Sequence, residues 1–173
     1  MPDLIFQTSP HIINNDSTKK IMWTVALGLL PPCVGAVIFF GFYSIFIIIS
    51  AIITSIICEL IYNILFNQQI SIFDGSAFVT GLLLGLMMPP EVPLFIPIIA
   101  SAFAILVLKM PFGGLGKNII NPAIGGRIFV SLIWVKHLTT WQNPYYYLKK
   151  SIKAISHATP GAISGASPLE IIF

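Results

Sequence analysis

Near its C-terminal end the chain reads Gly161-Ala162-Ile163-Ser164-Gly165-Ala166-Ser167-Pro168-Leu169, a turn of small and polar residues ending in a hydroxyl. A serine in such surroundings can be joined to a phosphate. Gly165 and Ala166 let the backbone approach an anion closely, which makes Ser164, Gly165, Ala166 and Ser167 candidate binding residues. The same run also reads as an ordinary turn before a helix capped by Ser167, with Pro168 at its first position. Two charged residues are candidates on other grounds. Asp74 opens Asp74-Gly75-Ser76, where an N-cap is the usual employment of Asp. Arg127 falls near or within an apolar segment, where an ionisable group marks function unless it snorkels to an interface.

Other residues invite chemistry less strongly. Gly113-Gly114-Leu115-Gly116-Lys117 superficially resembles a phosphate loop. It lacks the spacing and the Ser or Thr after Lys, and no strand precedes it, so close backbone packing between helices is the better reading. His11, His137 and His157 are far apart in polar segments and read as solvated. Cys33 and Cys58 lie inside apolar segments without companions at ligand spacing, as apolar fillers do, and no metal is expected.

The elements that must position these residues are membrane elements. Of 173 residues, 56% are apolar and 9% charged, with a mean hydropathy of +0.91, which is too little charge for the surface of a soluble domain. The net charge of +3 is small and scattered, which argues against nucleic-acid binding. The expected fold is all-α and integral to a membrane, with about five transmembrane or half-membrane helices. Residues 1–20 read as a polar leader, 21–135 as the helical membrane domain and 136–173 as an interfacial segment.

Apolar segments are expected over 21–42, 44–66, 76–88, 93–108 and 119–135. Ser17-Thr18 starts the first, and Pro31-Pro32 kinks or restarts it. Glu59 is the one charge of the second and lies where it could reach an interface; Lys109 and Pro111 close the fourth. Trp141 and Tyr145 to Tyr147 read as an interfacial aromatic belt. With the N-terminus cytoplasmic, Lys19, Lys20, Lys109 and Lys117 fall inside, while Lys136, Lys149, Lys150 and Lys153 count against that orientation. Leu27-Gly28 through Pro32 and Leu84-Gly85 through Pro90 are faintly alike, as in one half of an inverted repeat.

Taken in order, several motifs resemble one family. They are Ser9-Pro10-His11, Ser17-Thr18 through Met22, Asp74-Gly75-Ser76-Ala77 with Thr80-Gly81, and Pro89-Pro90. Phe103-Ala104-Ile105 with Lys109, Gly113 to Gly116 with Asn118, Asn121-Pro122-Ala123, and Ala166-Ser167-Pro168-Leu169 complete the set. The whole chain resembles the D subunit of Rnf-type ion-translocating electron-transport complexes, which is related to the B subunit of sodium-translocating NADH:quinone reductase.

The resemblance implies a multi-span redox subunit of a bacterial inner-membrane complex. Its flavin (FMN) would be joined by a phosphoester to Ser167, on the periplasmic side, by a flavin-attaching transferase. Its partners would be the other subunits and membrane lipid. Asp74 and Arg127 are candidates for charges that couple to the ion, whether Na⁺ or H⁺. The family usually has Thr at the attachment point and Asp where this chain has Gly161; Ser keeps the hydroxyl. Family members continue through further spans, so residues 1–173 alone are expected not to hold a well-packed flavin. A solute transporter or channel without cofactor, and a scaffold subunit without flavin, are the alternatives.

Overall fold

A computed structural model describes residues 17–67 and 74–140, and among these every regular element is helical. The first apolar segment is two helices in line, α1 (Thr18–Gly28) and α2 (Leu30–Phe40). Ser17 caps α1 by accepting from the Lys20 amide at 3.3 Å, as its position before the apolar run predicts. Pro31 and Pro32 have no N–H to return to the carbonyls of the preceding turn, so α1 ends at Leu29 and α2 starts there. Gly41, at φ 85°, closes α2 and admits α3 (Tyr43–Leu65). Both Thr18–Phe40 and α3, at 23 residues each, are long and apolar enough to cross a bilayer.

Three shorter apolar helices follow: α4 (Ser76–Leu86), α5 (Phe95–Phe103) continued by a π-helical turn (Ala104–Lys109), and α6 (Pro122–Ile133). Asn121 caps α6, its side chain accepting from the Ala123 amide at 3.0 Å with Pro122 at the first helical position. A last turn, α7 (Val135–Thr139), carries the exposed His137.

The polarity of α3 is inverted relative to a soluble helix. Ile49, Ile53, Ile57 and Ile61, one turn apart, form an exposed stripe, while Ser55, Glu59 and Asn63 are buried on the opposite side. Water would reverse that arrangement; lipid permits it, because the apolar stripe gains nothing from burial in protein.

The inner face of α3 packs closely on α4, which runs antiparallel to it. Ile48 faces Gly85 and Ile52 faces Gly81, so the α4 backbone lies directly on that of α3. A Cβ on Gly81 would stand 2.7 Å from the Cα of Ile52, and one on Gly85 2.8 Å from the Cα of Ile48. Gly126 seats α6 on α5 in the same way, its missing Cβ 2.6 Å from the Ala100 carbonyl oxygen. The α5–α6 contact is extended by a parallel stack of Phe103 on Phe129, with centroids 3.8 Å apart, and an edge contact of Phe95 with Trp134. Helix packing by glycine was expected at Gly113 to Gly116. Those residues instead form a turn, at φ 98°, 84° and 82° for Gly113, Gly114 and Gly116, and the packing glycines are Gly81, Gly85 and Gly126.

Gly81→Ala is therefore expected to force α3 and α4 apart and to destabilise the protein by about 1–3 kcal/mol. Gly28→Ala, which meets nothing within 4 Å, should be neutral or stabilising by up to about 1 kcal/mol. Thermal denaturation of the two variants in detergent measures both effects.

Candidate functional site

Levels within the bundle follow from its contacts. The Tyr43 hydroxyl, at the start of α3, donates to the Val92 carbonyl in the α4–α5 connection at 3.2 Å. At the other end, Glu59 of α3 meets Lys109 at the end of the π-turn, and Lys109 in turn meets Ser76 at the start of α4. With 1.5 Å of rise per residue, Glu59 lies roughly 24 Å along α3 from Tyr43 and roughly 9 Å before its end at Leu65. The start of α4 and the end of the π-turn therefore stop below the end of α3, within the thickness of an apolar core of about 30 Å.

A polar cluster occupies this depth. Lys109 is 2% exposed and Glu59 1%. The Lys109 ammonium donates to Glu59 Oε2 at 2.6 Å and to Ser76 Oγ at 2.7 Å. The Asp74 carboxylate lies within electrostatic reach of Lys109. Asn63, one turn beyond Glu59, is buried on the same side of α3. The cluster also sits at the start of α4, as ion sites inside membrane proteins often sit at the ends of half-length helices.

Each part of the cluster has a local cause. The N-cap of α4 is Gly75, in the left-handed conformation at φ 75°. This corrects the reading of Asp74 as the cap: Asp74 lies one residue earlier, and α4 has no side-chain cap bond. The left-handed residue turns the chain so that Ser76 enters the helix facing Lys109. Trp23 of α1 covers the turn, its Nε1 3.3 Å from where a Gly75 Cβ would stand, and it stacks on Phe78 at 5.8 Å. Thr80, one turn further on, donates to the Ser76 carbonyl at 2.8 Å.

Two expectations change here. Glu59 does not reach an interface; it is in the core, paired with a lysine 50 residues away. Lys109 is not a loop cation at the surface, so it no longer counts toward orientation. The sequence did contain a signal: two opposite charges, each alone in an apolar segment, are most cheaply placed together. The remaining candidates are distributed differently. Asp74 joins the cluster, whereas Arg127 is half-buried on α6 beside Gly126, which packs on Ala100 and Ala104. That level is five to nine residues from Lys109 along α5, or roughly 8–13 Å. Ser164, Gly165, Ala166 and Ser167 lie outside the described residues, as do the aromatic belt, His11 and His157.

The sequence profile of the NQR2, RnfD, RnfE family matches residues 5–173. The chain belongs to this family. The D subunit of the proton-translocating ferredoxin:NAD(+) oxidoreductase complex of Clostridium ljungdahlii is 40% identical over 153 residues, covering 88% of this chain and 45% of the relative. The D subunit of the Na(+)-translocating ferredoxin:NAD(+) oxidoreductase complex of Acetobacterium woodii is 38% identical over 138 residues, covering 80% and 43%. The D subunit of an ion-translocating oxidoreductase complex of Methanosarcina acetivorans is 32% identical over 163 residues, covering 94% and 56%. The chain thus spans about half the length of these curated relatives. As an NQR2/RnfD/RnfE family member with two full-length apolar helices and inverted helix polarity, it is a multi-pass membrane protein.

Removing one member of a buried ion pair strands the other. Lys109→Met is expected to destabilise the protein by about 3–5 kcal/mol, and the double variant Glu59→Gln/Lys109→Met to recover most of that loss. Denaturant titration of the detergent-solubilised single and double variants measures the coupling; additive losses would contradict it.

Proposed function

We propose that this chain is part of the D-type membrane subunit of an electron-transport complex that couples electron flow to ion translocation, and that it carries FMN esterified to Ser167. The observation that carries the reading is the family match over residues 5–173, with D subunits of ion-translocating oxidoreductase complexes among the relatives. The polar cluster supports it. A buried carboxylate and ammonium at membrane depth are costly, and a structure retains them where charge movement is the task.

The residues divide the work by place. Ser167 supplies the hydroxyl for a phosphoester, and serine has the chemistry that the usual threonine has. Ser164, Gly165 and Ala166 let the phosphate approach. When bound, the flavin supplies one- and two-electron chemistry that no side chain offers. Glu59, Lys109, Ser76 and Asp74 form the charge element whose balance an ion would alter. Asp74 serves there as a second carboxylate, and Arg127 contributes a separate positive charge at another level. Relatives named for proton and for Na(+) translocation suit one device, since both ions exchange against the same charge.

The setting is a bacterial inner membrane with the N-terminus cytoplasmic and the flavin segment periplasmic, supported by Lys19, Lys20 and Lys117. The partners are the other subunits of the complex, membrane lipid and a flavin-attaching transferase. The half-length helices would also suit a solute pathway without cofactor.

Co-expression of the full-length polypeptide with the transferase, followed by a denaturing gel under ultraviolet light, separates these readings. The parent and Ser164→Ala should give a fluorescent band, and Ser167→Ala should abolish it. No fluorescence in the parent, beside a control protein that is labelled, would reject the flavin assignment and favour the scaffold or cofactor-free readings.

A further inference from the structure

The helix that delivers Lys109 changes type just before it does so. From Ala104 to Lys109 the chain is π-helical, the Met110 amide donating to the Ile105 carbonyl at 2.9 Å. The Gly114 amide continues this spacing to the Lys109 carbonyl at 3.1 Å. A π-turn accommodates one residue more than an α-turn, and such turns concentrate at functional positions. If its upstream end is held while it tightens to α-helix, the residue at its end moves by one residue's share of the helix circumference, roughly 100°.

The two ends of the turn are held differently. Upstream, Ile96, Ala100 and Ala104 are fully buried, and Gly126 fixes Ala100 and Ala104 against α6. Downstream, Gly113, Gly114 and Gly116 adopt left-handed conformations, and the last two have open space around them. The α5 core thus resists rotation, and the glycine turn can take up slack. Within the π-turn, Leu106 and Val107 are exposed, while Ala104, Ile105 and Lys109 are buried. Rotation of its last residues would move Lys109, and with it the buried Met110, away from their present neighbours.

We propose that the π-turn Ala104–Lys109 is a register switch: it seats the Lys109 ammonium on Glu59 and Ser76 in the π form, and withdraws it on tightening to α-helix. The proposal rests on reading the cluster as the charge element of the proposed function. Charge balance sets the condition for switching. Glu59 is too deeply buried to stand alone as a carboxylate, so the ammonium leaves only when a proton or a small monovalent cation takes its place. Asp74 and Ser76 of the α4 start, Glu59 of α3 and Lys109 are the charged and polar groups at the exchange point. The exchange keeps Glu59 neutralised, leaves the Asp74 carboxylate, which already acts on Lys109, to balance the withdrawn ammonium, and turns occupancy of Glu59 into movement of the segment that follows α5.

The test reads that movement directly, in the assembled membrane complex with Cys33 and Cys58 replaced by Ala. Met110→Cys places a thiol on the moving side of the turn, and its reaction with a water-soluble maleimide is timed. Glu59→Gln imitates the neutralised carboxylate and should raise the labelling rate at position 110 at least tenfold in the resting complex. Deleting Val107, a lipid-facing residue, removes the extra residue. The helix becomes α throughout while Lys109 keeps its direction, so the deletion should abolish the rise.

An unchanged rate in Glu59→Gln, or a rise that persists in the deletion, would overturn the switch. So would an equal rise at Ser55→Cys, a fully buried position on α3, since that reports general loosening. Labelling during turnover is a separate arm: a switch that responds to Glu59→Gln but not to electron flow would stand, and the redox reading would fall.

Discussion

A lysine ammonium at membrane depth must have a counter-charge, and the arrangement around Lys109 follows from that requirement. In a medium of low polarizability the cost of an isolated charge exceeds any packing gain, so the chain has to bring Glu59 to it from another helix. Three helical elements converge for this one contact: α3 for the carboxylate, the start of α4 for the Ser76 hydroxyl, and the π-turn for the ammonium. The glycine faces of α4 make it possible. Without side chains at positions 81 and 85, α4 lies against α3 closely enough for its first residue to share a hydrogen-bonding site with Glu59.

The same requirement accounts for the unusual length of α4. An 11-residue helix is about 16 Å long and cannot cross the bilayer alone. Its start therefore stops inside the membrane, where free amides would be costly unless protein covers them. Trp23 and Met22 of α1 lie over this start at Gly75 and shield it from lipid. What would be a defect in an ordinary span becomes a place where polar backbone, the Glu59 carboxylate and the Lys109 ammonium meet at depth, with the half-buried Asp74 carboxylate within electrostatic reach. Charge balance at such a place is sensitive to a single proton or cation, which is why the proposed coupling role centres here, with Arg127 adding its charge at a separate level on α6.

The redox and ionic parts of the proposed function also differ in kind. Attachment of a flavin needs a hydroxyl in an accessible turn of small residues, a property of one short segment. Coupling needs two arrangements of packed elements that an ion can bias. The π-turn is suited to this because one surplus residue can be stored or released without unfolding the helix, and the glycine turn beyond it can follow.

Much of the architecture was legible in residue types alone, because it depends on local rules. Apolar segments long enough to span, the Ser17 cap, the restart at Pro31-Pro32 and the helix starting at Ser76 all follow from hydropathy, side-chain capping or the missing proline N–H. The ordered motifs likewise carried the family resemblance before any contact was known. What local rules could not supply was partnership across the fold. Glu59 read as a near-interface charge and Lys109 as a surface lysine, because nothing within either segment reveals a counter-ion 50 residues away. Asp74 read as a cap, because nothing in the local sequence shows that Gly75, left-handed and lying under Trp23, takes that place. The glycines that bring helices together were indistinguishable in sequence from those that turn the chain. Burial, pairing and close approach are properties of pairs of elements, and only the tertiary structure decides which elements meet.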